Sequence, residues 1–187
     1  MTDRTRALHT VCGGRTMVER YRLETSRILQ PLRLEVVSDY HGGSGPEEEE
    51  DRILRFLAER DPDLILIPGD LITRKKPEDL PGAEQFLRKL TQIADVVYVP
   101  GNHESAMFRN PEYAELFREF WDRITALGVI TLRNRTKTLQ VGENRLTLFG
   151  LELEEKHYRK PFPEKLRTRE IDDYFSEEDA VPGGCCS

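Results

Sequence analysis

The chain has 187 residues, of which 37% are hydrophobic and 33% are charged, and its formal net charge is −6. This length fits one domain, or at most two small ones, and is sufficient for a hydrophobic core without disulfides or a structural metal. The negative charge argues against non-specific binding to nucleic acid or to an anionic membrane, so no nucleic acid is predicted as a partner.

Signals for targeting and for an oxidising compartment are sparse. No apolar run approaches the ~18 residues of a membrane span, so no transmembrane segment is predicted in this chain. The N-terminal segment Met1–Arg6 leads into no apolar stretch, so no signal peptide is predicted. Three cysteines (Cys12, Cys185 and Cys186) do not form a disulfide framework. A cytoplasmic location is therefore the default expectation.

Composition divides the chain into three parts. Residues 1–31 contain six arginines and show no sustained periodicity, which predicts a loose N-terminal arm with one strand around Tyr21–Leu23. Residues 32–175 carry the apolar patterns of a folded domain. Residues 176–187 end in Pro-Gly-Gly-Cys-Cys-Ser and are predicted to form an atypical C-terminal tail.

Strands and helices alternate in the first half of the predicted domain. Short apolar runs predict the strands Leu32–Val37, Leu64–Ile67, Val96–Val99, Val129–Leu132, Lys137–Val141 and Arg145–Gly150. Apolar residues at helical spacing predict a first helix that begins in the acidic run Glu47–Asp51 and is stopped by Asp61-Pro62, and the further helices Ala83–Ala94 and Pro111–Leu127. The last two strands are predicted to form a hairpin. This order predicts an α/β fold with a parallel sheet.

Polar side chains follow each of the first three predicted strands. Asp39 and His41 follow the first, Asp70 follows the second, and Asn102, His103 and Glu104 follow the third. Functional groups of open α/β sheets collect at the carboxyl ends of the strands, so these side chains are expected to meet at one edge. A single aspartate after a strand is usually a turn residue, but three strands that end this way favour a site over three unrelated turns.

The residue types indicate metal chemistry. Carboxylate and imidazole together suit Mn, Fe, Zn or Co. Asp39 and His41 are two residues apart, so on an extended strand both side chains point the same way. Two metal ions need a bridging oxygen ligand, and Asp70 is placed to bridge them because its strand is predicted to be central. His103 directly follows Asn102, and successive extended residues point apart, so His103 is expected to act on substrate.

Three segments resemble the first three motifs of the calcineurin-like metallophosphoesterase superfamily: Ser38–His41, Gly69–Asp70 and Gly101–Glu104. The resemblance runs from about Leu32 to Phe149. It implies a four-layer αββα sandwich with a dinuclear centre of two divalent ions (Mn, Fe, Zn or Co) and a phosphate-ester substrate.

The resemblance also implies roles for individual residues. It assigns Asp39 and His41 to the first metal, Asp70 to both metals and Asn102 to the second. His103 would be the catalytic residue that contacts the phosphate and protonates the leaving group. The chain is most similar to a bacterial branch that often has a membrane-anchored N-terminus, which implies membrane association as an alternative to a purely cytoplasmic location.

The later histidine motifs of the superfamily have no counterpart here. The four histidines are His9, His41, His103 and His157. His9 lies in the arm, and His157 is interpreted as a surface residue and not as a ligand. The chain is therefore expected to lack the C-terminal part of the second sheet, to bind at most one metal weakly, to turn over negligibly and to self-associate.

Two further functions remain alongside the leading one. The leading prediction is a metal-dependent phosphoesterase that hydrolyses phosphomonoesters or phosphodiesters with a dinuclear metal centre. The alternatives are a catalytically inactive binding module with the phosphoesterase fold and a truncated gene fragment. The sequence leaves the substrate, the metal and the oligomeric state open.

Overall fold

The computed structural model describes residues 4–10, 17–41, 47–73, 76–158 and 164–170. Cys12 and the predicted tail, residues 176–187, lie outside the described residues. Within them, no helix combines the length and the apolar character needed to cross a membrane.

Strands and helices of the described residues alternate as the sequence predicts. The strands are β1 (Arg4–Thr10), β2 (Val18–Glu24), β3 (Leu34–Val36), β4 (Leu64–Ile67), β5 (Val96–Tyr98), β6 (Ile130–Thr131), β7 (Arg135–Val141) and β8 (Asn144–Gly150). The helices are α1 (Glu47–Ala58), α2 (Leu80–Leu90), α3 (Asn102–Arg109) and α4 (Ala114–Ala126). Short 3₁₀ turns cover Pro77–Asp79 and Glu155–Tyr158.

A parallel sheet forms the centre of the domain. Its strand order is β3-β4-β5-β6, and all three pairs are parallel. The register aligns Leu34 with Leu64 and Ile65 with Val96. Strand β4 therefore lies between two neighbours, which confirms that the strand before Asp70 is an interior one. The α/β class is confirmed.

Alternate residues of the central strands face opposite sides of the sheet, as strand geometry requires. Ile65, Ile67, Val96 and Tyr98 join the helices in one large core. Most of the helix residues in that core come from α2 and α4: Leu80, Ala83, Phe86, Leu87, Leu90, Phe117, Phe120 and Ile124. The helices therefore cover one face of the sheet.

The other face is covered by the antiparallel hairpin of β7 and β8. Leu64 and Val97 of the sheet pack there with Leu132, and Leu139, Leu146 and Leu148 lie against them. This hairpin was predicted, and its pairing from Arg135–Gly150 to Val141–Asn144 confirms it. The described layers are therefore helices, parallel sheet and hairpin, which is consistent with the expected incomplete second sheet.

The N-terminal arm contains one more strand than the sequence predicts. Strands β1 and β2 pair antiparallel from Arg4–Glu24 to Thr10–Val18. The side chains of β2 after Val18 are all exposed, so this strand has no buried face and no alternating apolar pattern to reveal it.

Residues 29 and 30 connect the arm to the domain. The buried Asn144 side chain accepts hydrogen bonds from the backbone N–H groups of Leu29 at 2.8 Å and Gln30 at 3.3 Å. Its amide donates to the Gln30 carbonyl at 3.1 Å. The Asn144 side chain thereby provides hydrogen-bond partners for the backbone polar groups of the segment that leads into β3. These bonds explain why a polar side chain that is 1% exposed is tolerated here.

Candidate active site at the carboxyl edge of the sheet

Asp39 and His41 do not lie on an extended strand, so that part of the prediction is wrong. Strand β3 ends at Val36, and both residues have left-handed backbone angles, with φ of 56° and 54°. Their side chains nevertheless meet, because Asp39 Oδ1 and His41 Nε2 are 3.8 Å apart. The turn therefore places the side chains of Asp39 and His41 close together, as an extended strand was expected to do.

The loop that carries these residues is attached to β4 and to the turn after it. The Val37 N–H donates to the Leu66 carbonyl at 2.9 Å. The His41 N–H donates to the Asp70 carbonyl at 3.2 Å. These two bonds fix both ends of the loop, and the second one ties the first motif directly to Asp70.

Gly69 and Gly101 allow the second and third motifs to touch. Gly69 has a φ of 102°, and a Cβ added to it would lie 2.4 Å from the Gly101 Cα. A Cβ on Gly101 would lie 2.4 Å from Asp70 Oδ1. No side chain fits in either gap, so glycine is required where these two strand ends meet.

Backbone strain is concentrated at the predicted ligands. Asp70 also has a left-handed conformation, with a φ of 52°, as Asp39 and His41 do. Such a conformation costs a non-glycine residue ~1–3 kcal/mol, and clustered strain of this kind is typical of functional sites. Asp61 and Asn134 share the conformation outside this edge.

Asn102 and His103 lie in the first turn of α3 and not on an extended segment. The argument that they point apart as successive strand residues is therefore wrong. The Asn102 amide, with its NH₂ group turned inward, donates to both carboxylate oxygens of Asp70 at 3.2 Å. The His103 N–H donates to Asp70 Oδ1 at 3.4 Å. The rings of His41 and His103 lie 5.4 Å apart, edge to face.

Glu104 is a structural member of the site to which the sequence analysis assigned no role. Its side chain is fully buried and accepts backbone N–H bonds from Gly101 at 2.9 Å, Asp70 at 3.1 Å and Ile72 at 3.1 Å. Burial raises the pKa of this carboxyl, while these N–H bonds oppose the rise. The signal available in the sequence was a glutamate three residues after Gly101, at the helix position that reaches back to the cap.

His157 is not the surface residue that was predicted. Its side chain is 4% exposed. Its Nδ1 lies 2.8 Å from the Glu164 carbonyl, and its Nε2 lies 3.8 Å from Glu170 Oε1. The ring is buried because residues 164–170 fold back over it. For His9, the structure describes the backbone of β1 and not the side chain.

The donors at this edge fit a divalent ion in kind. They are two carboxylates, an imidazole and an amide, a set that suits Mn, Fe, Zn or Co. His41 Nδ1 is buried without a hydrogen-bond partner among the described residues. Within those residues, no group of three His, Cys, Asp or Glu side chains is arranged to hold a metal. The donors are thus suitable in type, and the side chains of Asp39 and His41 lie 3.8 Å apart.

The fold and this edge define the class of the protein. Helices and a hairpin enclose a parallel sheet, and carboxylate, imidazole and amide groups from three successive strand ends meet at its carboxyl edge. The chain belongs to the calcineurin-like phosphoesterase family, whose sequence model matches residues 32–182.

Two solved structures are similar to the chain. The phosphopantetheinyl hydrolase PptH from Mycobacterium tuberculosis is 18% identical with a TM-score of 0.47, and the match covers 80% of this chain and 51% of that one. The nuclease MPE from Pseudomonas putida is 24% identical with a TM-score of 0.35, and the match covers 54% and 47%. The chain thus spans about half the length of the structures it matches. No protein of curated function matches the sequence significantly.

Proposed function

We propose that this chain is a metal-dependent phosphoesterase that hydrolyses phosphomonoesters or phosphodiesters with a dinuclear metal centre. Family membership supports the reaction class. The observation that carries the proposal is the central position of Asp70. Its carbonyl accepts the His41 N–H, and its carboxylate accepts from Asn102 and His103, so one residue joins all three motifs.

Asp39 and His41 would hold the first ion, Asp70 both ions and Asn102 the second. Two ligand atoms ~2.1 Å from one tetrahedral ion lie ~3.4 Å apart, and the separation of 3.8 Å between Asp39 Oδ1 and His41 Nε2 is close to this. In the metal-free chain the Asn102 NH₂ group faces Asp70, so binding an ion that Asp70 shares would require the amide to turn its oxygen toward that carboxylate. A bound pair of divalent ions supplies Lewis-acid stabilisation of the phosphoryl group and activation of water.

His103 would donate a proton to the leaving group. Its backbone N–H is bonded to Asp70 at 3.4 Å, which holds the residue beside the ligands. A positioned general acid contributes ~10²–10⁴-fold to a rate. The proposed division of labour is therefore that Asp39, His41, Asp70 and Asn102 bind metal and His103 acts on substrate.

Metal binding tests the role of Asp70. The variant Asp70→Asn keeps the shape and removes the charge, so it should abolish Mn²⁺ uptake as measured by isothermal titration calorimetry. Asp61→Asn is the matched control, because Asp61 is also a left-handed aspartate, with φ of 48° against 52°, but is exposed outside the site. An Asp70→Asn variant that takes up as much Mn²⁺ as the parent would contradict the bridging role.

The two ions should differ in affinity. The first has Asp39, His41 and Asp70, whereas the second has only Asp70 and Asn102 among the described residues. Hydrolysis of an aryl phosphodiester or phosphomonoester that rises only above the Mn²⁺ concentration that fills the first site would show that the second ion binds. The absence of hydrolysis at every Mn²⁺ concentration would agree with the negligible turnover expected from the missing histidine motifs.

His103→Ala should lower this turnover ~10²–10⁴-fold and leave Mn²⁺ uptake near that of the parent. Loss of metal together with activity would show that His103 is a ligand. Tyr113→Phe, at the start of α4, serves as a control for a substitution away from this edge.

One observation favours a second candidate, a phosphoesterase fold that binds its ligand without turning it over. The described residues hold no group of three His, Cys, Asp or Glu side chains arranged for a metal. Saturable binding of Mn²⁺ and inorganic phosphate with no hydrolysis at any Mn²⁺ concentration would establish this candidate. Metal-dependent hydrolysis that His103→Ala removes would exclude it.

A further inference from the structure

We propose that Tyr40 is a positioning residue that anchors the loop of Asp39 and His41 to helices α1 and α2. The inference deepens the proposed function and rests on it, because it names what holds two proposed metal ligands in place. Two contacts of Tyr40 support this role: its ring packs on Phe86, and its hydroxyl bonds to Glu50.

The ring of Tyr40 packs into the helix layer. It stacks on Phe86 of α2, with ring centroids 3.9 Å apart and planes 5° apart. Phe86 is fully buried in the main core, and Tyr40 is one of the partly buried residues packed against that core. Because Phe86 is fully buried, this nearly parallel stack holds the ring of Tyr40 against the helix layer.

The hydroxyl of Tyr40 extends the contact to a second helix. It donates to Glu50 of α1. Glu50 also accepts from the Lys89 ammonium group of α2, with Nζ 2.7 Å from Oε1. The glutamate is thus held by a cation from the helix that carries Phe86. Tyr40, Glu50 and Lys89 form a continuous polar connection above the stacked rings.

The loop needs such an anchor because its own backbone is strained. Tyr40 lies between two left-handed residues, Asp39 and His41. The side chains of Ser38 and Asp39 are exposed, so neither buries apolar surface that would offset this strain. The backbone bonds of Val37 and His41 fix the two ends. Tyr40 is the residue between them that packs on the core, with a left-handed residue on each side.

Amide hydrogen exchange in the metal-free chain tests this anchor directly. Tyr40→Ala removes the stack and the hydrogen bond, so the His41 N–H should exchange about tenfold faster or more. Tyr40→Phe keeps the stack and should accelerate the same amide about twofold to tenfold, the equivalent of one hydrogen bond. The Val37 N–H, bonded to Leu66 on the β3 side, should stay within about twofold of the parent.

Two further variants complete the design. Glu50→Gln keeps an acceptor for the Tyr40 hydroxyl but removes the charge that Lys89 contacts, so its effect should resemble that of Tyr40→Phe. Tyr113→Phe is the matched control, because it also removes a tyrosine hydroxyl whose pKa a glutamate, Glu112, raises, but at the start of α4. It should leave the His41 amide unchanged. Tyr40→Phe and Glu50→Gln keep the inference testable if Tyr40→Ala does not fold.

A Mn²⁺ titration separates positioning from general stability. Tyr40→Phe should weaken Mn²⁺ binding severalfold relative to Tyr113→Phe, while its free energy of unfolding falls by no more than its twofold to tenfold faster exchange at His41 corresponds to. Faster exchange at His41 alone, together with weaker Mn²⁺ binding, supports the inference. Unchanged exchange at His41, or equal acceleration at His41 and Val37, overturns it. If the parent binds no Mn²⁺, the proposed function fails, and the exchange data alone decide whether Tyr40 holds the loop.

Discussion

The two faces of the parallel sheet are covered to different degrees, although the same strands supply both. On the helix face, Ile65 and Val96 lie in a core whose helix residues are themselves fully buried. On the hairpin face, Leu64 and Val97 are buried, but the leucines of β7 and β8 that cover them are only partly buried. The alternation of side chains along a strand decides which of the two layers a residue faces. How completely that layer covers the sheet then decides how well the covering residues are buried.

The contrast is largest at strand β3. Leu34 and Val36 are 42% and 61% exposed, whereas Leu64, the register partner of Leu34, is fully buried, and Leu66, the register partner of Val36, is partly buried. Successive side chains of β3 point to opposite faces of the sheet. Glu35, which lies between Leu34 and Val36, forms an ion pair with Arg60 in the segment after α1. The hairpin covers the centre of the sheet and leaves this edge strand bare. The proposed ligands after β3 are accordingly held from the helix side, through Tyr40, and not from the hairpin side.

A leucine on the helix face gives the largest expected effect. Leu87 of α2 is fully buried. Truncation leaves a cavity that rigid helices cannot close, so Leu87→Ala should lower the free energy of unfolding by ~2–5 kcal/mol. Urea denaturation followed by circular dichroism measures this loss. A change below about 1 kcal/mol would show that the helix layer is looser than its burial indicates.

The same substitution on the hairpin face should cost less. Leu148 of β8 is only partly buried, so water already reaches part of its surface. Leu148→Ala should lower the free energy of unfolding by ~1–2 kcal/mol, measured in the same way. A loss as large as that for Leu87→Ala would contradict the difference between the two faces.

The bare edge should show the smallest effect. Val36→Thr replaces a methyl group at an exposed position and should change the free energy of unfolding by less than ~0.5 kcal/mol. Val97 is the matched control, because it is 3% exposed on the covered part of the same face. Val97→Thr buries a hydroxyl and should cost ~1–3 kcal/mol. Similar losses for the two variants would mean that β3 is covered in solution, as it would be by self-association.

The sequence alone determined the order of the domain and the identity of the candidate site. Strand β4 was predicted with its observed bounds, because a strand buried on both faces reads as an unbroken apolar run. The hairpin of β7 and β8 was predicted with small errors at its ends. Asp70 was predicted to belong to a site because polar residues directly follow three apolar runs, and parallel strands bring their carboxyl ends to one edge. These features depend on local pattern and on the topology that the pattern implies.

The tertiary structure decided the geometry within that edge. Helix α3 was missed because its eight residues lack an extended apolar stripe, and its first turn is stabilised by Glu104, whose acceptors reach Asp70 and Ile72 more than 30 residues away. The left-handed backbone of Asp39 and His41 depends likewise on the bond to the Asp70 carbonyl. Local propensity disfavours these conformations, so only the contacts between strand ends that are distant in sequence make them stable.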